Sequence, residues 1–75
     1  VFIIMNEWQP RGSHNNSSEI LDSKVFFTED AAWEYMRDFA ATMAIEVFRG
    51  ETGFVVPPTE YIEFEEYYIG ELDAE

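Results

Sequence analysis

Thr28 to Ala44, TEDAAWEYMRDFAATMA, is the one convincing helix in this 75-residue chain, and its reading decides the fold. Thr28 suits the N-cap, because its hydroxyl can accept a bond from an otherwise unpaired amide of the first turn. Glu29 and Asp30 follow, where negative charge complements the positive end of the helix dipole. Ala31 stands where a full capping box would need Glu or Gln. At about 100° per residue, Ala32, Met36, Phe39 and Met43 fall on one apolar stripe. Tyr35 flanks the stripe on one side, Ala40 and Trp33 on the other. Asp30, Glu34, Arg37 and Ala41 lie opposite, and Glu34 and Arg37 are spaced to pair. Trp33, at the edge of the stripe, is expected to be half exposed as a contact. No glycine marks the C-terminal end.

Outside this helix the sequence reads as strand, turn or loop. Val1 to Trp8, VFIIMNEW, has the β-branched and aromatic content of a buried strand. Gln9 to Ser18 is a turn-forming loop rich in Pro, Gly, Asn and Ser. Glu19 to Phe27 reads as a second strand, antiparallel to the first. After the helix, Ile45 to Arg49 reads as a third strand, residues 50–53 as a turn, and Phe54 to Val56 as a fourth strand completing a hairpin. Pro57 and Pro58 stop further pairing. Thr59 to Phe64 reads as loop or a short helical turn, and Tyr67 to Leu72 as a final strand closing the sheet beside the first. The expected order is β-β-α-β-β-β: one α+β domain over residues 1–75, an antiparallel sheet with the helix across one face.

Composition limits the function. Sixteen acids against four Lys and Arg leave a net charge of −12, while 47% hydrophobic residues argue for a folded core rather than disorder. A chain this short buries only about 60% of its unfolded surface. With no cysteine to brace it, aromatic packing must carry the stability. Seven Phe, four Tyr and two Trp are more than so small a domain can bury, so exposed aromatic surface is expected. The charge repels nucleic acids and anionic membranes and favours basic protein surfaces. Val1 to Met5 is too short for a signal peptide or a membrane span, which predicts cytoplasmic residence.

No catalytic pattern stands out, and no enzyme is expected. His14 is the one histidine and sits in a polar loop, with no cysteine or second histidine to complete a zinc site. No phosphate-binding glycine loop is present; Gly50 and Gly53 have turn spacing. A carboxylate pair of the glycosidase kind needs a deep cleft, and the Asp-rich calcium loop is missing. No cofactor and no metal are expected. An anionic small ligand would require Arg11, Lys24, Arg37 or Arg49 to converge on a pocket.

The acids themselves remain. Residues 51–75 contain eight of them and no Lys or Arg. Glu60 to Glu66, EYIEFEE, interleaves acids with aromatics and runs on into Tyr67 and Tyr68. Same-face acids on a strand lie roughly 6.5–7 Å apart, close to the spacing of neighbouring backbone phosphates. The expected partner-binding residues are therefore Glu60, Glu63, Glu65 and Glu66, with Tyr61 and Tyr67 as apolar anchors and Glu71 and Asp73 extending the face.

Lys24 to Tyr35, KVFFTEDAAWEY, followed by the Pro-Pro turn and the Tyr-Tyr-Ile-Gly-Glu-Leu end, resembles small acidic proteins encoded by bacteriophages. The resemblance implies a host-directed inhibitor, since some proteins of that kind block host enzymes or defence systems, several by mimicking DNA. It assigns no functional residue. The partner implied is a host protein with a basic surface, met in the host cytoplasm. The alternative is a structural or assembly protein that self-associates, as a homodimer for example, through aromatic surface and open sheet edges.

Overall fold

The computed structural model describes residues 1–73. Four strands and one helix form two layers: β1 Phe2–Pro10, β2 Ser17–Ile20, α1 Glu29–Ala41, β3 Gly53–Val56 and β4 Ile62–Glu71, with a 3₁₀ turn at Leu21–Ser23. The sheet is antiparallel in the order β2-β1-β4-β3, and α1 packs against one face. This is the α+β class read from the sequence. The shortest dimension, 19 Å, accommodates one sheet and one helix and no third layer.

The helix forms as its sequence dictates. The Thr28 hydroxyl accepts a 3.1 Å bond from the Ala31 amide. Ala32, Trp33, Met36 and Ala40 are buried, and Phe39 and Met43 pack at the margin of the core. The C-terminal end holds a feature with no glycine to announce it. Ala44 takes the left-handed conformation at φ 58°. Its amide donates to Ala41 O at 3.0 Å, and the Ile45 amide donates to Ala40 O at 3.0 Å. These are the two bonds of a Schellman cap, made here with alanine in the usual glycine position.

That cap redirects the chain and explains the main departure from the sequence reading. Ile45 to Arg49 is not a strand. Its alternating pattern is satisfied another way: Val47 is buried and Ile45 packs against the core, while Glu46 and Phe48 face outward. β3 is therefore not half of a 45–56 hairpin. It pairs with β4, from Gly53 opposite Tyr68 to Val56 opposite Glu65.

Three more expectations change. β4 begins at Ile62, not Tyr67, because Thr59 Oγ1 accepts the amides of Tyr61 and Ile62 and turns the chain straight into the sheet. The strand expected at Glu19 to Phe27 pairs only as far as Ile20. Asp22 and Ser23, at φ 54° and 52°, bend it away, and Phe26 then rejoins β1 through two 2.7 Å bonds with Phe2. The expected Glu34–Arg37 pair is replaced by an Arg37–Asp38 contact of 3.3 Å. The pairing of the first and last strands is as read: β1 and β4 run antiparallel along nearly their whole lengths.

The core lies between α1 and the sheet. Ile4, Trp33, Met36, Ala40, Val47, Phe54 and Tyr67 form it. Met36 and Ile4 are the largest fully buried side chains; each contributes about 1.5–3 kcal/mol through burial. Strand alternation then assigns the two faces. Ile4, Asn6, Phe54, Tyr67 and Ile69 point toward α1, and Ile3, Met5, Glu7, Glu66 and Tyr68 point the other way.

Candidate functional site

The residues expected to bind a partner are divided by the sheet rather than gathered by it. Glu60 and Tyr61 lie exposed in the turn before β4. Arg11 sits beside them, donating its amide to Tyr61 O at 2.9 Å and its guanidinium to Thr59 O at 2.9 and 3.1 Å. Glu63 is exposed where the β1–β4 register shifts, since Gln9 faces Phe64 and Pro10 faces Ile62. That irregularity breaks the even row of acids along the strand that phosphate spacing would need.

Beyond it, neighbouring acids face opposite ways. Glu65 stands opposite Trp8 and shares the helix-side face with Tyr67; Glu66 stands opposite Glu7 on the other face. Tyr67 does not serve as an exposed anchor. It is 7% exposed, stacked on Phe54 at 5.1 Å and tilted against Phe39 at 4.9 Å. Burial raises its pKa first, followed by the nearby charges of Glu65 and Glu19. Glu71 lies opposite Phe2 at the end of β4, and Asp73 is exposed just after it.

Trp33 also departs from expectation, being 7% exposed. Two cations cover it: the Arg49 guanidinium carbon lies 4.1 Å from the ring centroid and that of Arg37 lies 5.2 Å away. Arg49 also reaches Asp30 at 3.7 Å. Lys24 lies 5.1 Å from the Tyr35 ring, whose hydroxyl donates to Asp22. That hydrogen bond, more than burial or the Asp22 charge, raises the Tyr35 pKa. So two arginines do converge, but on an indole. The cavity beside them, about 240 Å³, sets Glu29, Asp30 and Glu51 against the single guanidinium of Arg49. Three carboxylates to one cation repel an anionic ligand.

A different constellation emerges on the face away from α1. Glu7 and Glu66 are direct cross-strand partners in the two central strands. Ser18 of β2 and Val55 of β3 complete their row. The Tyr68 hydroxyl donates a 2.8 Å bond to Glu7 Oε1, which raises the Tyr68 pKa ahead of burial and the charges of Glu7 and Glu66. Ile20, Met5 and Tyr68 form the adjacent row on one side, and Gln9 with Phe64 the row on the other. Val55 is 58% exposed and Ile20 37%.

Glu7, Phe64 and Tyr68 were missed by sequence reasoning. The signal available was parity: starting β4 at Ile62 puts Phe64, Glu66 and Tyr68 on one face, opposite to the core residue Tyr67. Among the described residues no cluster of His, Cys, Asp or Glu is placed to hold a metal, and no helix is long and apolar enough to cross a membrane. Compared with protein-family models, curated proteins and solved structures, the chain matches none.

Proposed function

We propose that this chain is a small acidic binding protein, a phage-type inhibitor that occupies a basic, nucleic-acid-binding surface of a host protein in the host cytoplasm. One observation carries the reading: the placement of the four Lys and Arg residues against sixteen acids. Lys24, Arg37 and Arg49 lie over rings of α1, and Arg11 is held at the 59–61 turn. The sheet face away from α1 keeps its carboxylates without counter-ions from the chain. Such a surface attracts cationic grooves over long range and repels nucleic acid. Binding, not catalysis, is the activity in this reading, and it needs no cofactor.

The test is capture from a bacterial lysate at about 0.1 M and 1 M salt, where the screening length falls from about 10 Å to 3 Å. A partner retained at low salt, released at high salt and displaced by excess double-stranded DNA supports occupancy of a nucleic-acid site. Retention that ignores both salt and DNA sinks it.

A second reading, self-assembly, draws on the exposed apolar side chains Phe27, Phe48 and Val55, which are 86%, 63% and 58% exposed. Light scattering across a concentration series separates the two, since a strict monomer counts against assembly.

A further inference from the structure

We infer that the docking surface is the sheet face away from α1, and that its occupant is an arginine of a basic protein, seated between Glu7 and Glu66. This rests on the basic-partner reading above and adds the site and the anchoring chemistry.

The first argument is charge. Cross-strand partners have Cβ atoms about 5 Å apart, and like charges placed there destabilise a sheet. Glu7 and Glu66 hold these positions in the two central strands. No Lys or Arg of the chain answers them: three lie against α1 rings and the fourth against Thr59. A cation supplied from outside would relieve the repulsion and gain two charge-assisted hydrogen bonds.

The second argument is shape. The carboxylates sit between an aromatic on either side, Phe64 in one flanking row and Tyr68 in the other. Guanidinium groups are planar, stack on aromatic faces and accept less hydration than an ammonium, so this setting favours arginine over lysine. The Tyr68 hydroxyl already holds one Glu7 oxygen at 2.8 Å, which orients the carboxylate and leaves the other oxygen free to accept. Met5, Ile20 and Val55 supply apolar surface around the anchor. A second copy of the chain fits poorly here, because each copy carries −12 and would bring the same two acids.

The experiment compares two doubly neutralised variants of equal charge, Glu7→Gln with Glu66→Gln and Glu60→Gln with Glu63→Gln. Each is titrated with nona-arginine and nona-lysine peptides at about 0.1 M salt, following amide resonances of the isotope-labelled chain. Unchanged resonances far from the substitutions establish that each variant is folded. The expected result is arginine preferred over lysine, with shifts centred on Glu7, Phe64, Glu66 and Tyr68. The Glu7/Glu66 variant binds nona-arginine about tenfold more weakly or worse, as loss of a charge-assisted contact implies, and the Glu60/Glu63 variant changes by less than about threefold.

Equal weakening in both variants, or shifts centred on the 59–63 turn, overturns this site while leaving a basic partner in place. Absence of binding to both peptides overturns the basic-partner reading with it. A concentration-dependent dimer that shifts the same amides assigns the face to a second copy and overturns the inference.

Discussion

The Tyr68 hydroxyl donates a 2.8 Å hydrogen bond to Glu7 Oε1, linking residues 61 positions apart across the two central strands. It is the one side-chain hydrogen bond joining β1 to β4 among the described residues, and it holds a carboxylate directly opposite another, Glu66. Replacing Tyr68 with Phe removes the donor and leaves Glu7 facing Glu66 alone. The expected loss is about 0.5–1 kcal/mol in urea unfolding, at the low end for a charged acceptor because the site is partly exposed. Combined with Glu7→Ala, which removes the acceptor, the loss is less than additive. Strict additivity would show that the bond contributes nothing.

Ala44 caps the helix from the left-handed region, at φ 58°, where a Cβ costs about 1–2 kcal/mol. Ala44→Gly removes that cost and gives back part of it as unfolded-chain entropy. The net gain expected is about 0.5–1 kcal/mol, a rise of roughly 2–8 °C in the thermal midpoint for a domain of this size. An unchanged or lower midpoint would contradict the cap geometry.

Gly53 sits where β3 meets β4 closely. A Cβ added there would lie 2.7 Å from the Tyr67 carbonyl oxygen and 3.0 Å from Tyr68 Cβ. The first obstacle is backbone, which cannot swing aside. Gly53→Ala should cost about 1–3 kcal/mol and loosen β3 first. Hydrogen exchange checks this: the amides of Phe54 and Val56 lose protection ahead of those in β1. Uniform loss across the sheet would place the strain elsewhere.

Alkali should unfold the protein through its tyrosines. Tyr35, Tyr67 and Tyr68 all have pKa values raised above the ordinary value of about 10. A folded-state pKa above the unfolded one means the native state holds its proton longer. The associated stability is fully present below about pH 10 and is lost as pH rises through the folded values. For Tyr67 the first cause is burial; ionisation there would put a charge against Phe39 and Phe54. Tyr67→Phe should flatten the alkaline limb of a stability–pH curve followed by circular dichroism. An alkaline limb as steep as in the parent would remove Tyr67 from the account.

How much was legible is clearest at three places. Thr28 and the stripe Ala32, Met36, Phe39 foretold α1, because caps and helical periodicity act over a few residues. Ile45 to Arg49 misled, because its alternation of Ile, Glu, Val and Phe suits any extended segment with one face buried, paired or not. The candidate site was half read. Glu66 was named, but Glu7 and Tyr68 were not, and Tyr67 was taken as exposed. Parity along β4 could not be assigned without knowing that the strand starts at Ile62 and shifts register beside Glu63. A one-residue error in that start exchanges every side chain between the two faces.

The sequence by itself determined the helix, the presence of strands at both ends and the −12 charge. These depend on local hydrogen bonding, residue preference and simple addition. Only the tertiary structure decided that β4 lies between β1 and β3 and that Glu7 meets Glu66 there. Those outcomes depend on contacts between residues far apart in the chain. Strand register fixes them, and register is set by how the whole core packs.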